Sequence, residues 1–179
     1  MKLWKNTNIL DDYLKSNLIT DDKKKAEIAI LGSKSINLDE FKNIVGIFRV
    51  GVGLDNIPIK EANRKNIKVQ ITSKATNEYI FEETANFTCH LIFKMLFNNL
   101  GSIDPWKIRF RKPFHTKKLL VVGQGNIGKR VARKMNSFMR IQTFDLLQNV
   151  QSDLNLLLRD ADCVTLHIPL TEKSQNYFG

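Results

Sequence analysis

Cysteine is scarce in this chain of 179 residues, and no apolar run approaches the length of a membrane-spanning helix. The two cysteines, Cys89 and Cys163, are too few for a disulfide framework, and we expect both to be buried thiols of a cytoplasmic protein. No cysteines and histidines have the spacing of a zinc site, so we predict no metal. Residues 1–12 carry four charges and lack a long apolar core, which is not the pattern of a secretory signal.

Acidic residues are missing from positions 106–143, a stretch that holds eleven basic ones. The whole chain has a net charge of +10, so the remainder is nearly neutral. One interpretation is a set of solvated lysines and arginines; the other is a positive field that steers an anion toward this stretch. No aromatic-interleaved patch or recognition module accompanies the charge, so nucleic acid is not an expected partner.

Strand and helix patterns alternate along the chain, which predicts parallel sheets in two α/β units in series. A helix at 77–97 is predicted by a repeat at spacings of three and four, and we expect it to be mostly buried. The repeat consists of Ile80, Thr84, Phe87, Leu91 and Met95, with Phe81, Ile92 and Leu96 beside it. The other predicted elements are strands at 27–31, 44–50, 67–71, 119–122, 141–144 and 162–168, and helices at 58–64, 129–138 and 153–159.

A glycine-rich turn opens the second unit, between the strand at 119–122 and the helix at 129–138. In this context Gly123 permits a tight turn, Gly125 lets a diphosphate approach the backbone, and Gly128 lets the helix pack closely on the strand. The helix N-terminus offers N–H groups and the positive end of its dipole to phosphates. The pattern predicts a dinucleotide site; the alternative is a generic strand–helix turn.

Asp145 ends the next predicted strand, 17 residues after Gly128. A carboxylate in this place accepts hydrogen bonds from both hydroxyls of an adenosine ribose and repels a 2′-phosphate. No arginine stands beside it, because Leu146 and Leu147 follow. The pattern therefore favours NAD over NADP, and the alternative is a surface aspartate.

A second glycine pair, Gly51 and Gly53, follows the strand at 44–50 and lacks a third glycine, so we predict no second nucleotide site. Its amides could instead hold a small carboxylate, with Arg49 supplying a cation. An ordinary turn between strand and helix is the competing interpretation, and the spacing alone favours that turn.

The last predicted strand leads into His167, Ile168, Pro169 and Thr171. Ligands of open parallel sheets bind beyond the carboxyl ends of the strands, so we expect this segment to face the crevice of the glycine-rich turn. His167 titrates near neutrality and could act as an acid or base. A strand-end histidine with a structural hydrogen bond is the favoured interpretation.

Four segments, in order, resemble the NAD-dependent D-isomer-specific 2-hydroxyacid dehydrogenases: residues 48–57, 77–85, 119–145 and 161–171. The resemblance implies an α/β fold of two flavodoxin-like or Rossmann-like parallel-sheet units. Residues 1–98 would form the N-terminal part of a substrate domain. Residues 99–179 would form the first half of an NAD-binding Rossmann domain.

The resemblance also implies ligand roles. The amides of Val52 and Gly53, with Arg49 nearby, would hold the substrate carboxylate. Asn126 and Ile127 would lie over the pyrophosphate. The other implied cofactor contacts are Ser73, Gly123, Gly125, Gly128, Asp145, His167, Ile168, Pro169 and Thr171.

The chain departs from the family pattern at Pro58, which replaces an acidic residue, and at Glu82, which replaces a small one. The interval from Gly128 to Asp145 is one residue short. The family's catalytic Arg, Glu and His belong to segments that would follow Gly179, so we predict no catalytic residue within the chain.

The implied activity is hydride transfer between NAD and a small 2-hydroxy or 2-keto acid, with the substrate loop leaning toward 3-phosphoglycerate. We expect the 179-residue chain to be inactive alone. The alternative is a non-catalytic dinucleotide-binding or interaction remnant. Such a chain would form a homodimer or pair with a complementary polypeptide, because half a sheet leaves a strand edge unpaired.

Overall fold

The computed structural model describes residues 1–97, 102, 104–107, 110, 112–148, 151–170 and 174. These residues form two compact units. The first unit comprises Met1–Ile80 and the segment that begins at Pro169, and the second unit comprises Phe81–Ile168. Within the described residues, none of the helices combines the length and hydropathy that a bilayer crossing requires.

The first unit contains a parallel four-stranded sheet in the order β1-β2-β3-β4. The strands are β1 Leu3–Lys5, β2 Ile28–Leu31, β3 Gly46–Arg49 and β4 Lys68–Ile71, and helix α1, Ile59–Arg64, joins the last two. Strand β2 is apolar along its whole length because both of its faces are covered, and Ala29 and Leu31 are fully buried. Ile47 of β3 and Ala62 of α1 belong to the same core.

Strand β1 is an element that the sequence analysis does not predict. It is three residues long, and Leu3 pairs with Ile28 of β2 while forming a second, isolated bridge to Ile19. A strand this short carries too few alternating positions for periodicity to reveal it. Its existence follows from pairing with a residue far along the chain.

The second unit contains a parallel three-stranded sheet in the order β6-β5-β7. Its elements are β5 Lys118–Val122, α3 Asn126–Met135, β6 Arg140–Phe144, α4 Gln151–Asp160 and β7 Cys163–Leu166. The first strand of the unit is therefore central, and the second and third flank it on opposite sides. This order is that of flavodoxin-like doubly wound sheets, in which the ligand crevice lies at the carboxyl ends where the strand order reverses. The predicted α/β class is confirmed.

Helix α2 spans Lys74–Leu96, and the prediction that it is mostly buried is wrong. Its buried residues are Ala85 and Ile92, whereas Phe87, Leu91 and Met95 of the predicted core stripe are 62%, 46% and 53% exposed. The helix is apolar around much of its circumference, and the stripe of Ala85 and Ile92 is the one that packs on the second sheet. Periodicity alone does not tell which of two apolar stripes faces a core.

The division between the two units falls inside α2, between Ile80 and Phe81, whereas the predicted boundary follows residue 98. The physical reason is that Ala85 and Ile92 share a core with Leu119 and Val131. The later turns of α2 therefore belong with the second sheet. The assignment of a substrate role to the first unit and of a cofactor role to the second stays a prediction.

Candidate functional site

The glycine-rich turn between β5 and α3 is closely packed at two of its three glycines. Gly123 has a φ of +95°, and a Cβ added there would lie 2.6 Å from the carbonyl oxygen of His167. A Cβ added at Gly128 would lie 1.9 Å from the carbonyl oxygen of Gly123. The first turn of α3 therefore rests directly on the backbone that leaves β5, as the spacing of the glycines predicts.

Gly125 differs from the other two glycines because a Cβ added there would meet no atom within 4 Å. Gly125 is the N-cap residue of α3, and no side chain caps the N-terminus of this helix with a hydrogen bond. The N–H groups of Asn126 and Ile127 lie in the first helical turn, where they lack intrahelical acceptors. An uncapped helix N-terminus beside open space fits a diphosphate.

Asp145 follows β6 directly, and two backbone amides hold its carboxylate. Oδ2 accepts a hydrogen bond from the Gln124 N–H at 2.9 Å, and Oδ1 accepts one from the Leu147 N–H at 2.9 Å. The hydrogen bonds from Leu147 and then Gln124 lower the pKa of Asp145. The ionised form is thereby fixed against the glycine-rich turn. A carboxylate oxygen accepts more than one hydrogen bond, so ribose hydroxyls can join these amides.

The residues after β7 meet the same turn. The His167 N–H donates to the Val122 carbonyl at 2.7 Å, and Ile168 Cγ2 would lie 3.1 Å from a Cβ at Gly123. His167 Nε2 and Thr165 Oγ1 are 3.0 Å apart, and burial lowers the pKa of His167. Burial therefore favours the neutral imidazole, which has the structural hydrogen bond that the sequence analysis favours.

The last three predicted cofactor contacts do not belong to the described part of the second unit. Ser73 and Pro169 belong to the first unit, and their role at the cofactor stays a prediction. Thr171 lies outside the described residues.

Glu82, which departs from the family pattern, links α2 to α3 within the second unit through ion pairs. It forms an ion pair with Lys134, and its Oε2 lies 3.3 Å from Arg130 Nε. The hydrogen bond from Lys134 lowers the pKa of Glu82. Arg130 also lies over the ring of Phe81, 5.5 Å from its centroid. Two of the eleven cations between residues 106 and 143, Arg130 and Lys134, thus orient α3. The positive charge of a third, Lys129, contributes to the lowered pKa of Asp145.

The turn after β3 is organised by Arg49, a use of this residue that the sequence does not reveal. Its Nε donates to the Gly53 carbonyl at 3.1 Å and its Nη1 donates to the Val50 carbonyl. Gly51 has a φ of +140°, which favours glycine. Among the described residues, the N–H groups of Val52 and Gly53 have no hydrogen-bond acceptor. Arg49 therefore shapes a turn whose amides remain able to receive a carboxylate.

Residues 104–179 match the family model described as the NAD-binding domain of D-isomer specific 2-hydroxyacid dehydrogenases. The chain belongs to the D-isomer specific 2-hydroxyacid dehydrogenase family. NAD is the cofactor of the domain that this family model describes, so the predicted cofactor is confirmed.

Two of the curated relatives are named as reductases. Over 146 residues the chain is 31% identical to a hydroxypyruvate reductase of Thermotoga maritima, with 75% of this chain and 47% of the relative covered. Over 155 residues it is 29% identical to a glyoxylate reductase of Korarchaeum cryptofilum, with 74% and 45% covered. The chain thus spans about half the length of the curated relatives it matches.

The fold is similar to that of an NAD⁺-bound 3-phosphoglycerate dehydrogenase of Entamoeba histolytica. The TM-score is 0.65 at 23% identity, with 97% of this chain and 64% of the other covered. At this level of identity the similarity concerns the fold.

Asp145 is expected to decide between the two nicotinamide dinucleotides. Asp145→Asn should weaken NADH binding about 10- to 100-fold, since a hydrogen bond to a charged group contributes about 1.5–3 kcal/mol. The same change should narrow the gap between NADH and NADPH, because it removes the repulsion of a 2′-phosphate. Calorimetric titration with both dinucleotides measures the effect, and Asp153→Ala, which removes an exposed carboxylate from α4, is the control. An unchanged preference in Asp145→Asn would contradict the assignment.

The lowered pKa of Asp145 sets the direction in which this carboxyl makes the free energy of unfolding depend on pH. A carboxyl whose folded pKa lies below its unfolded value contributes stability at neutral pH, and loses that contribution as the pH falls through the folded value.

Proposed function

We propose that the second unit binds NAD, that the first unit binds a 2-hydroxy or 2-keto acid, and that the two take part in one hydride transfer. The observation that carries the proposal is the open space at Gly125, at the uncapped N-terminus of α3 and next to the fixed carboxylate of Asp145. The names of the relatives, hydroxypyruvate reductase and glyoxylate reductase, support the class of substrate.

Each group has a separate task in this proposal. The nicotinamide supplies or accepts the hydride. The N–H groups of Asn126 and Ile127 stabilise the diphosphate charge, and Asp145 accepts hydrogen bonds from the ribose. The free amides of Val52 and Gly53 hold the substrate carboxylate, and Arg49 keeps their turn in shape.

We propose further that the 179-residue polypeptide does not complete the reaction by itself. A general acid–base is needed to move the hydroxyl proton. His167 is bonded to Thr165, and His90 stacks on Phe87 with ring centroids 6.4 Å apart. Among the described residues, none of the three histidines is bonded to a carboxylate that would orient and activate it.

The expected result with the purified chain is binding without turnover. Saturating NADH should raise the melting temperature of the chain, because a ligand that binds only the folded state stabilises it. Absorbance at the nicotinamide band should stay constant when hydroxypyruvate or glyoxylate is added to the same mixture. No melting shift at millimolar NADH would overturn the cofactor assignment, and steady NADH oxidation above the protein-free blank would overturn the proposed inactivity.

A second candidate is a non-catalytic module that binds NAD and associates with another polypeptide chain. The observation in its favour is apolar surface in the second unit. Phe87, Leu91 and Met95 of α2 are exposed, and Val164 and Leu166 of the outer strand β7 are 37% and 49% exposed. Both candidates include NAD binding, and neither predicts turnover by this chain alone. Only the first candidate predicts that the first unit binds a 2-hydroxy or 2-keto acid, so titration of the chain with glyoxylate or hydroxypyruvate is the measurement that separates them.

A further inference from the structure

Three charged side chains form a network between α2 and α3 in the second unit. The Glu82 carboxylate pairs with Lys134, and its Oε2 lies 3.3 Å from Arg130 Nε. Arg130 and Lys134 are one helical turn apart on α3, so a single carboxylate reaches both. All three residues are partly buried, which limits the screening of these charges by water and salt.

Arg130 connects this network to the backbone of the glycine-rich turn. Its Nη1 donates to the Asn126 carbonyl at 2.6 Å, and Asn126 is the first residue of α3. The Asn126 carbonyl and the Ile127 N–H belong to one planar peptide unit, so a hydrogen bond that fixes the carbonyl also fixes the direction of that N–H. The Ile127 N–H lacks an intrahelical acceptor and is one of the two groups proposed to bind the diphosphate.

The same hydrogen bond makes this peptide unit a stronger donor. A guanidinium on the Asn126 carbonyl oxygen polarises the peptide unit, because hydrogen bonds in a chain strengthen one another. The partial positive charge on the Ile127 hydrogen rises as a result, and a diphosphate bound to that hydrogen is stabilised.

The Arg130 guanidinium is held in this place by two consecutive residues of α2. An arginine side chain has several rotatable bonds and loses conformational entropy when it is held in one geometry. Phe81 contacts one face of the group, with Arg130 Cζ 5.5 Å from its ring centroid, and Glu82 pairs with Nε. The ring restricts the plane of the guanidinium, and the carboxylate restricts its rotation within that plane.

We propose that Glu82 is a positioning residue of the cofactor site, which holds the Arg130 guanidinium on the Asn126 carbonyl and thereby directs the Ile127 N–H at the diphosphate of NAD. The inference rests on the proposed NAD binding of the second unit. It gives a role to a residue at which this chain departs from its family pattern, because a small side chain at position 82 would not reach Arg130.

Removal of Glu82 has opposite effects in two alternative roles of this carboxylate. If Glu82 acts only through its negative charge, Glu82→Ala removes a repulsion, and NADH, which is an anion, should bind more tightly. If Glu82 holds Arg130, the Ile127 N–H loses its orientation. NADH should then bind about three- to tenfold more weakly, as expected for coupling within one hydrogen-bond network. We expect the weaker binding.

Calorimetric titration of the full chain with NADH measures this difference. Glu82→Ala keeps a good helix former in α2, and Glu82→Gln, which retains the shape of the side chain, should give a smaller loss in the same direction. The melting temperature without ligand verifies that each variant is folded, and the same criteria apply to Glu82→Gln should Glu82→Ala not fold.

Glu83→Ala is the matched control, because it removes the same charge from the next residue of α2. Glu83 is exposed, and its carboxylate accepts a hydrogen bond from Asn86 Nδ2 at 3.0 Å on the same helix. Its removal should therefore not weaken NADH binding.

Fragments of the cofactor separate positioning from a general loss of structure. Glu82→Ala should weaken the binding of ADP as it weakens that of NADH. It should leave unchanged the binding of adenosine, which has a ribose but no phosphate, as followed by the amide NMR signal of Leu147. In an Arg130→Ala chain, Glu82→Ala should cause no further loss of NADH affinity, because the carboxylate acts through the guanidinium.

Unchanged or tighter NADH binding by the folded Glu82 variants would overturn the inference. An equal loss for adenosine, or a full additional loss in the Arg130→Ala chain, would overturn it as well. These outcomes leave the proposed function standing, because each is measured against a parent chain that binds NADH. A parent chain that does not bind NADH would overturn the proposed function and this inference together.

Discussion

Among the Gly→Ala substitutions in the glycine-rich turn, Gly128→Ala is expected to destabilise the second unit most. The added Cβ would lie 1.9 Å from the Gly123 carbonyl oxygen, which is a backbone atom and has no rotamer to escape into. Gly123 itself is held by its N–H, which donates to the Phe144 carbonyl at 2.7 Å. Relief therefore requires that α3 move away from β5.

Such a movement would uncover the apolar face of α3. Val131 and Met135 are fully buried in the core that also contains Leu119 and Val121. Overpacking of a core costs about 1–3 kcal/mol, and we expect Gly128→Ala to exceed about 3 kcal/mol because the clash is with backbone. For a unit of this size, that is a large fraction of the free energy of unfolding.

Urea denaturation followed by far-UV circular dichroism measures this effect in the full chain. Gly125→Ala is the matched control, because it adds the same methyl group to the same turn at a position with open space. It should cost no more than about 1 kcal/mol, the range for an N-cap change. Superimposable curves for Gly128→Ala and the parent chain would contradict the packing of α3 on the turn.

Features encoded by neighbouring residues are the ones that the sequence reveals. The glycines at 123, 125 and 128 lie in a single strand–turn–helix unit, so their spacing predicts their packing before any tertiary structure is known. Asp145 is found in the same way, because a strand end fixes where its carboxylate lies. What the spacing does not give is the pair of amides, from Gln124 and Leu147, that hold the carboxylate.

Features that depend on distant residues are the ones that the sequence conceals. Strand β1 exists through pairing with β2, and the loop at Lys34 is fixed by Asn6 and Asn56, each more than twenty residues away. The position of α2 is set by the face that fits the second sheet, which its own composition does not specify.

Gly125→Val is expected to abolish NAD binding while leaving the second unit folded. Gly125 has a φ of −77° and a ψ of −164°, an extended conformation that valine adopts readily. A Cβ at this position meets no atom within 4 Å, so we expect the turn to accommodate the isopropyl group. It would instead fill the space next to the N–H groups of Asn126 and Ile127, where the diphosphate is proposed to lie.

The expected loss of affinity is about 100-fold or more, because the diphosphate would lose several charge-assisted hydrogen bonds together, each of about 1.5–3 kcal/mol. Calorimetric titration with NADH measures the loss, and the melting temperature without ligand shows that the fold is retained. Gly125→Ala, with a smaller side chain in the same space, should give an intermediate loss. Parent-like NADH affinity in a folded Gly125→Val chain would show that no phosphate approaches this backbone. The turn would then be the generic strand–helix connection, and the role of the second unit would lie in its exposed apolar surface.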